Sequence, residues 1–294
     1  MSYQGGYYMI DEPLIKSGVY EHTNALKRPV PDRMLEAINR VSETPWRLNP
    51  LVSRIAEEAV MENRDLSCLP LMEDAPLPPD VPVELWEELS KEDKAAIKAE
   101  RARIHSINAK AFGQRESVLR KVSLMRELKD KQFWFPHSID WRGRAYAIPQ
   151  DLHPQSDDFA RGVLEFSEGR PLGKDGMYHL ALRGATSFGM DKVSFDERVQ
   201  WFSDNEKLII DSGTNPVHGE RWWCEADEPW QFLATCIAWV GYLNQGESYI
   251  CHLPIPYDAT CSGLQHLSAM GLSEYGGRMV NLTSDDQRHD IYQV

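Results

Sequence analysis

The stretch from Ser90 to about Asp130 constrains the fold more than any other feature of the sequence. It is rich in Lys, Ala, Glu, Arg and Leu, which favour helix, and Gly113 is its single internal glycine. This composition predicts one long helix, or a helical hairpin that is broken once. Because few of its residues are apolar, we expect the element to project from the body and to be solvated on one side.

Charge is distributed unevenly around this helix. The whole chain has 32 Lys and Arg against 45 Asp and Glu, a net charge of −13, which argues against a simple basic nucleic-acid-binding protein. Residues 54–94 carry 12 acids and 4 bases, whereas residues 101–131 carry 9 bases and 3 acids. Since phosphate binding depends on local contacts, the basic stretch is compatible with a nucleic-acid backbone as its partner. A solvated helix face explains the same charges.

The overall composition is that of a globular protein. With 294 residues, 42% of them hydrophobic and 26% charged, the chain has room for one large domain or two of medium size. No apolar run approaches the ~20 residues of a membrane-spanning helix, and residues 1–16 lack the pattern of a secretory signal. No C-x-x-C pair occurs, so we expect reduced thiols in an intracellular protein. The cysteines are Cys68, Cys224, Cys236, Cys251 and Cys261.

We expect a mixed α/β, helix-rich protein with three regions. Residues 1–32 show little periodicity and are interpreted as the remnant of an N-terminal region. Residues 33–131 are predicted to be helical, with a proline-rich loop at 69–82. From Phe133 onward aromatic, glycine and proline residues become more frequent, which predicts short strands and compact helices over 132–294.

Capping signals and apolar periodicity place the individual helices. Ser194 and Glu197 form a capping box that opens one helix, and Pro229 at a first helical turn opens another. Apolar side chains at helical spacing predict four buried faces. These are Met34, Leu35, Ile38 and Val41; Leu51, Ile55 and Ala59; Met177, Leu180, Ala181, Gly184, Ala185 and Phe188; and Phe232, Leu233, Cys236, Ile237, Val240 and Gly241.

The most informative motif lies where a predicted strand ends. Residues 248–257 are predicted to form a strand, although Pro254 and Pro256 cannot donate to a ladder and confine its end to a sheet edge. Asp258 terminates this strand, small residues follow, and a helix is expected from about Gly263. The carboxylate would then be held rigidly at the crevice beyond the sheet, where small residues let a ligand approach.

This arrangement of Asp258 suits a hard cation. Mg²⁺ takes one or two carboxylates, sometimes a main-chain oxygen, and substrate phosphates for its remaining ligands. The same spacing also fits an aspartate that caps the following helix, or an Asx turn before Ser262. Both interpretations remain open from the spacing.

A second motif lies within residues 133–146, where Arg142 and Arg144 flank Gly143. In an extended chain both guanidinium groups would point the same way, and the glycine would permit close approach of a nucleic-acid backbone. An Asp140–Arg144 ion pair that pins a turn explains the same residues.

Together, the two motifs resemble the single-subunit DNA-dependent RNA polymerases of the bacteriophage and mitochondrial type. Asp-Trp-Arg-Gly-Arg at 140–144 is followed at 254–266 by Pro-Ile-Pro-Tyr-Asp-Ala-Thr-Cys-Ser-Gly-Leu-Gln-His. Further matches occur in the family's order, and the resemblance covers roughly residues 20–294. They lie at residues 44–49, 164–166, 169–173, 222–230 and 277–282.

The resemblance implies a partial right-hand polymerase fold. Residues 33–131 would be a helical thumb that grips the template–product duplex, and 132–294 the first part of the palm, ending near the fingers boundary. Asp258 is similar to the family's first catalytic aspartate, which holds Mg²⁺. The carbonyl of Ala259 would be a further metal ligand, at a position where the family commonly has glycine.

The resemblance also implies nucleic-acid contacts at two places. Arg144 is similar to the arginine that contacts the template–RNA hybrid, and its turn would contribute Trp141 and Arg142 as well. Ser262 and Gly263 lie where the family approaches the end of the growing RNA.

The reaction implied is nucleotidyl transfer from ribonucleoside triphosphates, with a DNA template and an RNA product. Two Mg²⁺ ions about 3.5–4 Å apart would activate the RNA 3′-hydroxyl and stabilise the leaving pyrophosphate. The family's second palm aspartate, fingers lysine and tyrosine all lie beyond the position of Val294. We therefore expect this chain alone to be inactive, and to need a second polypeptide or a missing C-terminal half that carries the fingers and the rest of the palm.

Two other classes of protein explain parts of the sequence. A non-catalytic nucleic-acid-binding module derived from the same fold would bind duplexes whatever residue stands at 258. A glycosidase or other paired-carboxylate hydrolase suits the acidic, Trp-rich composition, and requires a second acid about 5–10 Å from Asp258. The expected location is the cytoplasm of a bacterial or phage-infected cell; the mitochondrial matrix is less favoured because no transit peptide is visible.

Overall fold

The computed structural model divides the chain into two compact units. One comprises the residues up to 168 together with 229–231, and the other comprises 169–228 and the residues from 232 onward. The assignment of thumb and palm to 33–131 and 132–294 stays a prediction. The described residues are 14–19, 22, 30–64, 66–70, 73–256, 259, 261–285 and 289–291.

The regular elements of the first unit are short, with one exception. The described part of the proline-rich loop, residues 69–70 and 73–82, has no regular structure, as predicted. In chain order the elements are β1 (Ile15–Lys16), α1 (Asp32–Ser42), β2 (Pro45–Leu48), α2 (Pro50–Met61), α3 (Val83–Glu88), α4 (Lys91–Leu128), β3 (Phe133–Trp134), β4 (His137–Asp140), β5 (Ala145–Ala147), α5 (Asp158–Val163) and β6 (Leu164–Phe166).

Helix α4 confirms the prediction of a long helix and continues through Gly113 without a break. Its 38 residues span about 57 Å at 1.5 Å per residue. Ser90 caps its start, because its hydroxyl accepts a hydrogen bond from the N–H of Asp93 at 3.0 Å. One stripe is buried and the remainder is solvated, as the composition predicts. The buried residues are Ile104, Ala111, Val118, Lys121, Val122 and Met125.

The start of α2 is set by Asn49. Its side-chain oxygen accepts hydrogen bonds from the N–H groups of Leu51 and Val52 at 3.1 and 3.0 Å, and a proline follows at the first helical position. The predicted apolar faces of α1 and α2 exist, but Val41 and Leu51 are exposed. Both residues lie at the margins of their stripes, so the faces are narrower than the sequence suggested.

Two three-stranded sheets order the first unit. β2 lies between β3 and β6 and is antiparallel to both, so Trp46 is opposite Phe133 on one side and Phe166 on the other. β4 lies between β1 and β5, parallel to β1 and antiparallel to β5. A buried cluster joins this second sheet to α1. It consists of Leu14, Val30, Ile38 and Ile139.

Residues 229–231 join the first unit through Asp158. Its carboxylate accepts hydrogen bonds from the N–H groups of Trp230 and Gln231 at 2.8 and 3.2 Å, which satisfies two donors at a helix N-terminus. At Gly162 a Cβ would lie 2.5 Å from the Cβ of Trp230. The contact between these segments therefore requires glycine.

The second unit is mainly helical, and the first three residues of its longest helix belong to the first unit. In chain order the elements are β7 (Arg170–Pro171), α6 (Gly176–Phe188), α7 (Phe195–Asp204), α8 (Glu206–Thr214), a 3₁₀ turn (Trp222–Glu225), α9 (Pro229–Gln245), a second 3₁₀ turn (Gly246–Ser248), β8 (Ile250–Cys251), α10 (Ser262–Met270) and α11 (Glu274–Met279).

The core of the second unit is built from aromatic side chains around α9. The ring of Phe188 lies 4.4 Å from that of Trp222 and 5.1 Å from that of Phe232. Phe232, Leu233 and Cys236 of the predicted α9 stripe are buried, whereas Ile237, Val240 and Gly241 are half-buried. Burial also extends beyond the stripe, to Ala234, Thr235, Ala238 and Trp239. A helix buried on more than one face is typical of a central position in a helical core.

Several local predictions for this unit are confirmed. Ser194 and Glu197 form the expected capping box. α6 buries Leu180, Ala181, Gly184 and Ala185 of the predicted face, whereas Phe188 is half-buried and Met177, in the first turn, is exposed. α6 ends at Gly189, which has a φ of 120°, a left-handed conformation that favours glycine at this position.

The predicted strand over 248–257 is wrong in extent. β8 comprises only Ile250 and Cys251 and pairs antiparallel with β7. A 3₁₀ turn occupies the preceding residues, and Pro254 and Pro256 have no N–H to continue a ladder. The helix expected from about Gly263 is confirmed by α10, which begins one residue earlier.

No described helix combines the length and the hydropathy needed to cross a membrane. All five cysteines lie in the described part of the chain, and none forms a disulfide. Burial raises the pKa of the Cys236 thiol well above its usual value, so this residue is a packing residue of α9.

Candidate functional site

A tight turn between β4 and β5 carries three of the predicted contact residues. The N–H of Gly143 donates to the carbonyl of Asp140 at 2.9 Å, and the N–H of Asp140 donates to the carbonyl of Arg144 at 2.9 Å. Gly143 has a φ of 89°, a left-handed conformation that closes a three-residue hairpin loop. The turn therefore depends on a glycine at position 143, three residues after Asp140.

The Asp140 carboxylate holds this turn together. Its Oδ1 accepts hydrogen bonds from the N–H groups of Arg142 and Arg144, both at 2.9 Å. Its Oδ2 accepts from Nε of Arg142 at 2.9 Å and lies 2.8 Å from Nη2 of the same side chain. Desolvation raises the pKa of Asp140, but these N–H and guanidinium donors outweigh it and hold the pKa below its usual value.

The two arginines differ in their roles. The condition under which both guanidinium groups would point the same way, an extended segment, is not met, because residues 141–144 form a turn. The alternative Asp140–Arg144 ion pair is wrong in its partner, because the carboxylate pairs with the Arg142 side chain and binds only the backbone of Arg144. Arg144 is exposed, and within the described part of the chain its guanidinium makes no hydrogen bond or ion pair. Arg144 is thus available to bind an external anion.

Aromatic side chains flank these arginines. Trp141 is 57% exposed, with the guanidinium carbon of Arg142 5.7 Å from its ring centroid and the ring of His22 at 5.3 Å. Tyr146 is also exposed, and its hydroxyl lies 3.5 Å from the Asp140 carboxylate. Exposed aromatic rings beside cations are typical of surfaces that bind single-stranded or unpaired nucleic acid.

Two of the shorter matched segments, 44–49 and 164–166, meet in the sheet of β2 and β6. Glu165 is 4% exposed and accepts hydrogen bonds from Nε of Arg47 at 2.7 Å and from Nδ2 of Asn49 at 2.8 Å. Because a buried carboxylate needs such donors, this pairing fixes the register of the two strands. No motif or periodicity predicted this pairing; the available signal in the sequence is an acidic residue between Leu164 and Phe166.

The predicted metal ligand, Asp258, lies outside the described residues. Ala259 is described and exposed, and so are Ser262 and Gly263 in the first turn of α10. A Cβ at Gly263 would meet no atom within 4 Å, so there is space beside this turn. Among the residues that the structure describes, no group of three or more His, Cys, Asp or Glu side chains could hold a metal ion.

Helices α10 and α11 pack on each other but leave large apolar side chains in solvent. Gln265 ties them together by donating to the carbonyl of Val280 at 2.8 Å, yet α10 has no buried residue. We call the exposed set the α10–α11 apolar face, a kind of surface that is typical of interaction sites. It comprises Leu264, Leu267, Met270, Leu272 and Tyr275.

The basic side chains of residues 101–131, a stretch that extends three residues beyond the end of α4, are mostly engaged by acids. Lys110, Lys129 and Lys131 are exposed and make no ion pair with a described residue. The other six basic residues of this stretch pair with acids, which the charge count alone did not reveal. The pairs are Arg101–Asp80, Arg103–Glu100, Arg115–Asp74, Arg120–Asp151, Lys121–Asp157 and Arg126–Glu57.

Comparison with known sequences defines the class of protein to which this site belongs. A profile of the DNA-dependent RNA polymerase family matches residues 170–294, a segment that includes Asp258. Relatives that are 33–35% identical align with 98–99% of the chain. Over nearly its whole length the chain is similar to the single-subunit, phage- and mitochondrial-type RNA polymerases, which confirms the resemblance of the two motifs.

Three of these relatives show how far the similarity extends. The mitochondrial DNA-directed RNA polymerase of Schizosaccharomyces pombe is 33% identical across 99% of this chain. The mitochondrial DNA-directed RNA polymerase 1 of Nicotiana sylvestris is 35% identical across 98%, and the DNA-directed RNA polymerase of enterobacteria phage K11 is 33% identical across 99%. The chain covers 26%, 29% and 32% of these three proteins. It therefore spans about a quarter to a third of their length, and its helix-rich α/β fold agrees with part of a polymerase.

Proposed function

We propose that this chain supplies the thumb and the first part of the palm of a DNA-directed RNA polymerase, which extends RNA on a DNA template from ribonucleoside triphosphates. The observation that carries the proposal is the sequence relationship over nearly the whole chain, with the Asp258 motif inside the family profile. In this proposal residues 33–131 are the thumb and residues 132–294 belong to the palm.

Asp258 and the carbonyl of Ala259 are the proposed magnesium ligands. A carboxylate next to a main-chain oxygen is a donor set suited to Mg²⁺. The exposure of Ala259 and the open space at Gly263 leave room for the ion's water and phosphate ligands. When bound, two such ions activate the RNA 3′-hydroxyl and stabilise the leaving pyrophosphate. We propose that the second metal-binding aspartate comes from the remainder of the palm.

The β4–β5 turn is the proposed contact to the template–RNA hybrid. The guanidinium of Arg144 would make charge-assisted hydrogen bonds to a backbone phosphate, while the exposed ring of Trp141 would stack on a base or sugar. Arg142 is a further proposed contact in the same turn, although its charge is balanced by the ion pair with Asp140. Ser262 and Gly263, exposed at the start of α10, are the proposed neighbours of the RNA end.

We propose that the α10–α11 apolar face packs against the rest of the palm, carried by a second polypeptide or by a further part of the same protein. The three relatives devote about two thirds or more of their length to segments that this chain does not match, and several exposed apolar side chains on two packed helices are typical of an interaction site. The absence of disulfides fits the reducing cytoplasm of a bacterial or phage-infected cell, which is the proposed location.

Complementation tests the proposed function. The chain is mixed with a polypeptide that carries the remaining palm and the fingers of a single-subunit polymerase, and Mg²⁺-dependent ribonucleotide incorporation is measured. We expect incorporation only by the mixture. Asp258→Asn should reduce it at least about a hundredfold, because even residues that merely orient a metal ligand are worth up to that factor. Asp196→Asn, at an exposed carboxylate of α7, is the matched control and should retain activity.

Three outcomes would count against this assignment. Synthesis by the chain alone would contradict the requirement for the remaining palm. Unchanged incorporation by the Asp258→Asn mixture would contradict the metal-binding role. Salt-dependent duplex binding without any incorporation would favour the non-catalytic module instead. The hydrolase alternative is not supported, since the relatives are polymerases.

A further inference from the structure

We propose that residues 73–88, the acidic strap, imitate nucleic-acid phosphates by occupying Arg101 and Arg115 of α4. A nucleic acid that binds α4 would displace the strap and gain these two arginines as contacts. The inference rests on the proposed nucleic-acid-binding role of α4.

Two ion pairs tie the strap to the helix. Oδ1 of Asp74 lies 2.5 Å from Nη2 of Arg115, and Oδ1 of Asp80 lies 2.6 Å from Nη1 of Arg101. The carbonyl of Pro78 also accepts from Nη1 of Arg101, at 3.4 Å. A carboxylate binds a guanidinium through the same kind of charge-assisted hydrogen bond as a phosphate oxygen does. The carboxylates of the strap therefore already make the contact with these arginines that nucleic-acid phosphates would make.

A side-chain amide fixes the strap between the two ion pairs. Asn108 donates to the carbonyl of Ala75 at 3.0 Å and accepts from the N–H of Ala75 at 2.8 Å. Arg101, Asn108 and Arg115 recur every seven residues, or about two helical turns, and so share one face of α4.

The lengths of the two segments match. Arg101 and Arg115 are about 21 Å apart along a helix that rises 1.5 Å per residue, and residues 74–80 span about 19 Å as an extended polyproline-type chain. Pro76, Pro78 and Pro79 have no N–H group and keep this part of the strap from joining a helix or a sheet. The strap therefore runs antiparallel to α4 as an extended cover of its arginines.

The remaining contacts of the strap lie near the surface. α3, which forms its last six residues, has no buried residue. Nζ of Lys94 donates to the carbonyl of Glu87 at 3.3 Å, and Nζ of Lys98 lies 5.8 Å from the ring centroid of Trp86. The side chains of Asp74 and Asp80 are 61% and 90% exposed, so both ion pairs are weakened by water and salt. A segment with few buried apolar contacts opens locally at low free energy. The cover is thus readily displaced by a competing polyanion.

The strap is also uniform in charge. It contains six acids and no basic residue, which makes it repel a nucleic acid when it lies on α4. We therefore expect it to weaken binding of short or non-specific duplexes more than binding of a duplex that makes additional contacts. The acids are Glu73, Asp74, Asp80, Glu84, Glu87 and Glu88.

Duplex binding by the full chain tests this proposal. The Asp74→Asn/Asp80→Asn variant should bind a short DNA duplex about twofold to thirtyfold more tightly at low salt, the range expected for two exposed ion pairs. Glu84→Gln/Glu88→Gln changes the net charge equally at exposed residues that make no ion pair with a described residue, and should give a clearly smaller gain. Adding Arg101→Gln/Arg115→Gln to the first variant should abolish its gain.

Hydrogen exchange provides a second, independent readout. The N–H of Ala75 is bonded to Asn108, so a saturating duplex should accelerate its exchange in the unmodified chain. Equal gains in the two acid-neutralising variants, slower exchange at Ala75 on duplex binding, or no duplex binding by any variant would each overturn the proposal. Failure of the proposed function would appear separately, as loss of incorporation in the complementation assay with the unmodified strap.

Discussion

At the scale of single residues, the β4–β5 turn shows what spacing can and cannot predict. The sequence indicated that an aspartate and an arginine pin a turn, and this is the case. It indicated the wrong arginine, because Arg142 and Arg144 are both within reach of Asp140 in a short loop. The left-handed conformation of Gly143 decides which arginine pairs with the carboxylate. It turns the chain so that Asp140 binds the side chain of Arg142 and the backbone of Arg144.

Gly143→Ala tests the conformation of this turn. The φ of 89° should destabilise the variant by about 1–2 kcal/mol, the cost of a left-handed L-residue, although a Cβ there would contact nothing within 4 Å. Gly113→Ala is the matched control, because its added Cβ also meets nothing, and a helix-interior alanine should stabilise α4 by about 0.5–1 kcal/mol. The measurement is the free energy of unfolding in urea. Shifts of the same sign for both variants would contradict the assignment.

At the scale of elements, helices were predictable and sheets were not. α4, α6, α7 and α9 are specified by residues within each segment, through caps, periodicity and propensity. β2 instead acquires its partners from segments far along the chain, β3 and β6. Its register depends on a buried contact of Glu165 that no local pattern reveals. For the same reason, the strap along α4 appeared in the sequence only as a proline-rich loop.

The link between β4 and α1 predicts a dependence of stability on pH. Burial lowers the pKa of His137, and the charge of His153 lowers it further, although a backbone hydrogen bond at Phe135 opposes this. The folded chain then takes up the proton at lower pH than the unfolded chain, whose histidine has a pKa of about 6.5. The contribution of neutral His137 to the free energy of unfolding is therefore fully present above the unfolded-state pKa of about 6.5. This contribution is lost as the pH falls from there through the folded-state pKa.

Urea unfolding at pH 7.5, 6.5 and 5.5 measures this effect. The free energy of unfolding should decline over that range, and His137→Asn should make the decline shallower even though it lowers stability at every pH by disturbing the contact between Nδ1 of His137 and the Ser42 hydroxyl, 3.4 Å apart. An unchanged slope in the variant would show that His137 is not the responsible group. His153 has its own lowered pKa, also mainly from burial, and is expected to account for a residual slope.

At the scale of the whole molecule, the charged and the exposed apolar side chains lead to separate conclusions, the first about nucleic-acid binding and the second about assembly. The net charge of −13 argued against nucleic-acid binding, yet several acids lie against α4 and neutralise it locally. The acidic balance is therefore compatible with a nucleic-acid-binding helix whose arginines are covered. Large apolar side chains are exposed at many places on the chain, and the α10–α11 apolar face is one such set, in the unit that includes most of the residues matching the family profile.

The α10–α11 apolar face provides a test of assembly that is independent of catalysis. Leu267→Glu/Met270→Glu replaces side chains that are 60% and 75% exposed, so it should leave the free energy of unfolding almost unchanged and reduce aggregation of the isolated chain. If this face packs against the rest of the palm, burying two charges there should weaken association with the complementing polypeptide at least about tenfold, as measured by titration calorimetry. Val41→Glu/Met61→Glu, at exposed positions of the first unit, should leave association intact. Equal affinity for both variants would place the contact with the remaining palm elsewhere on the chain, because two buried, unpaired carboxylates cannot be accommodated without loss of affinity.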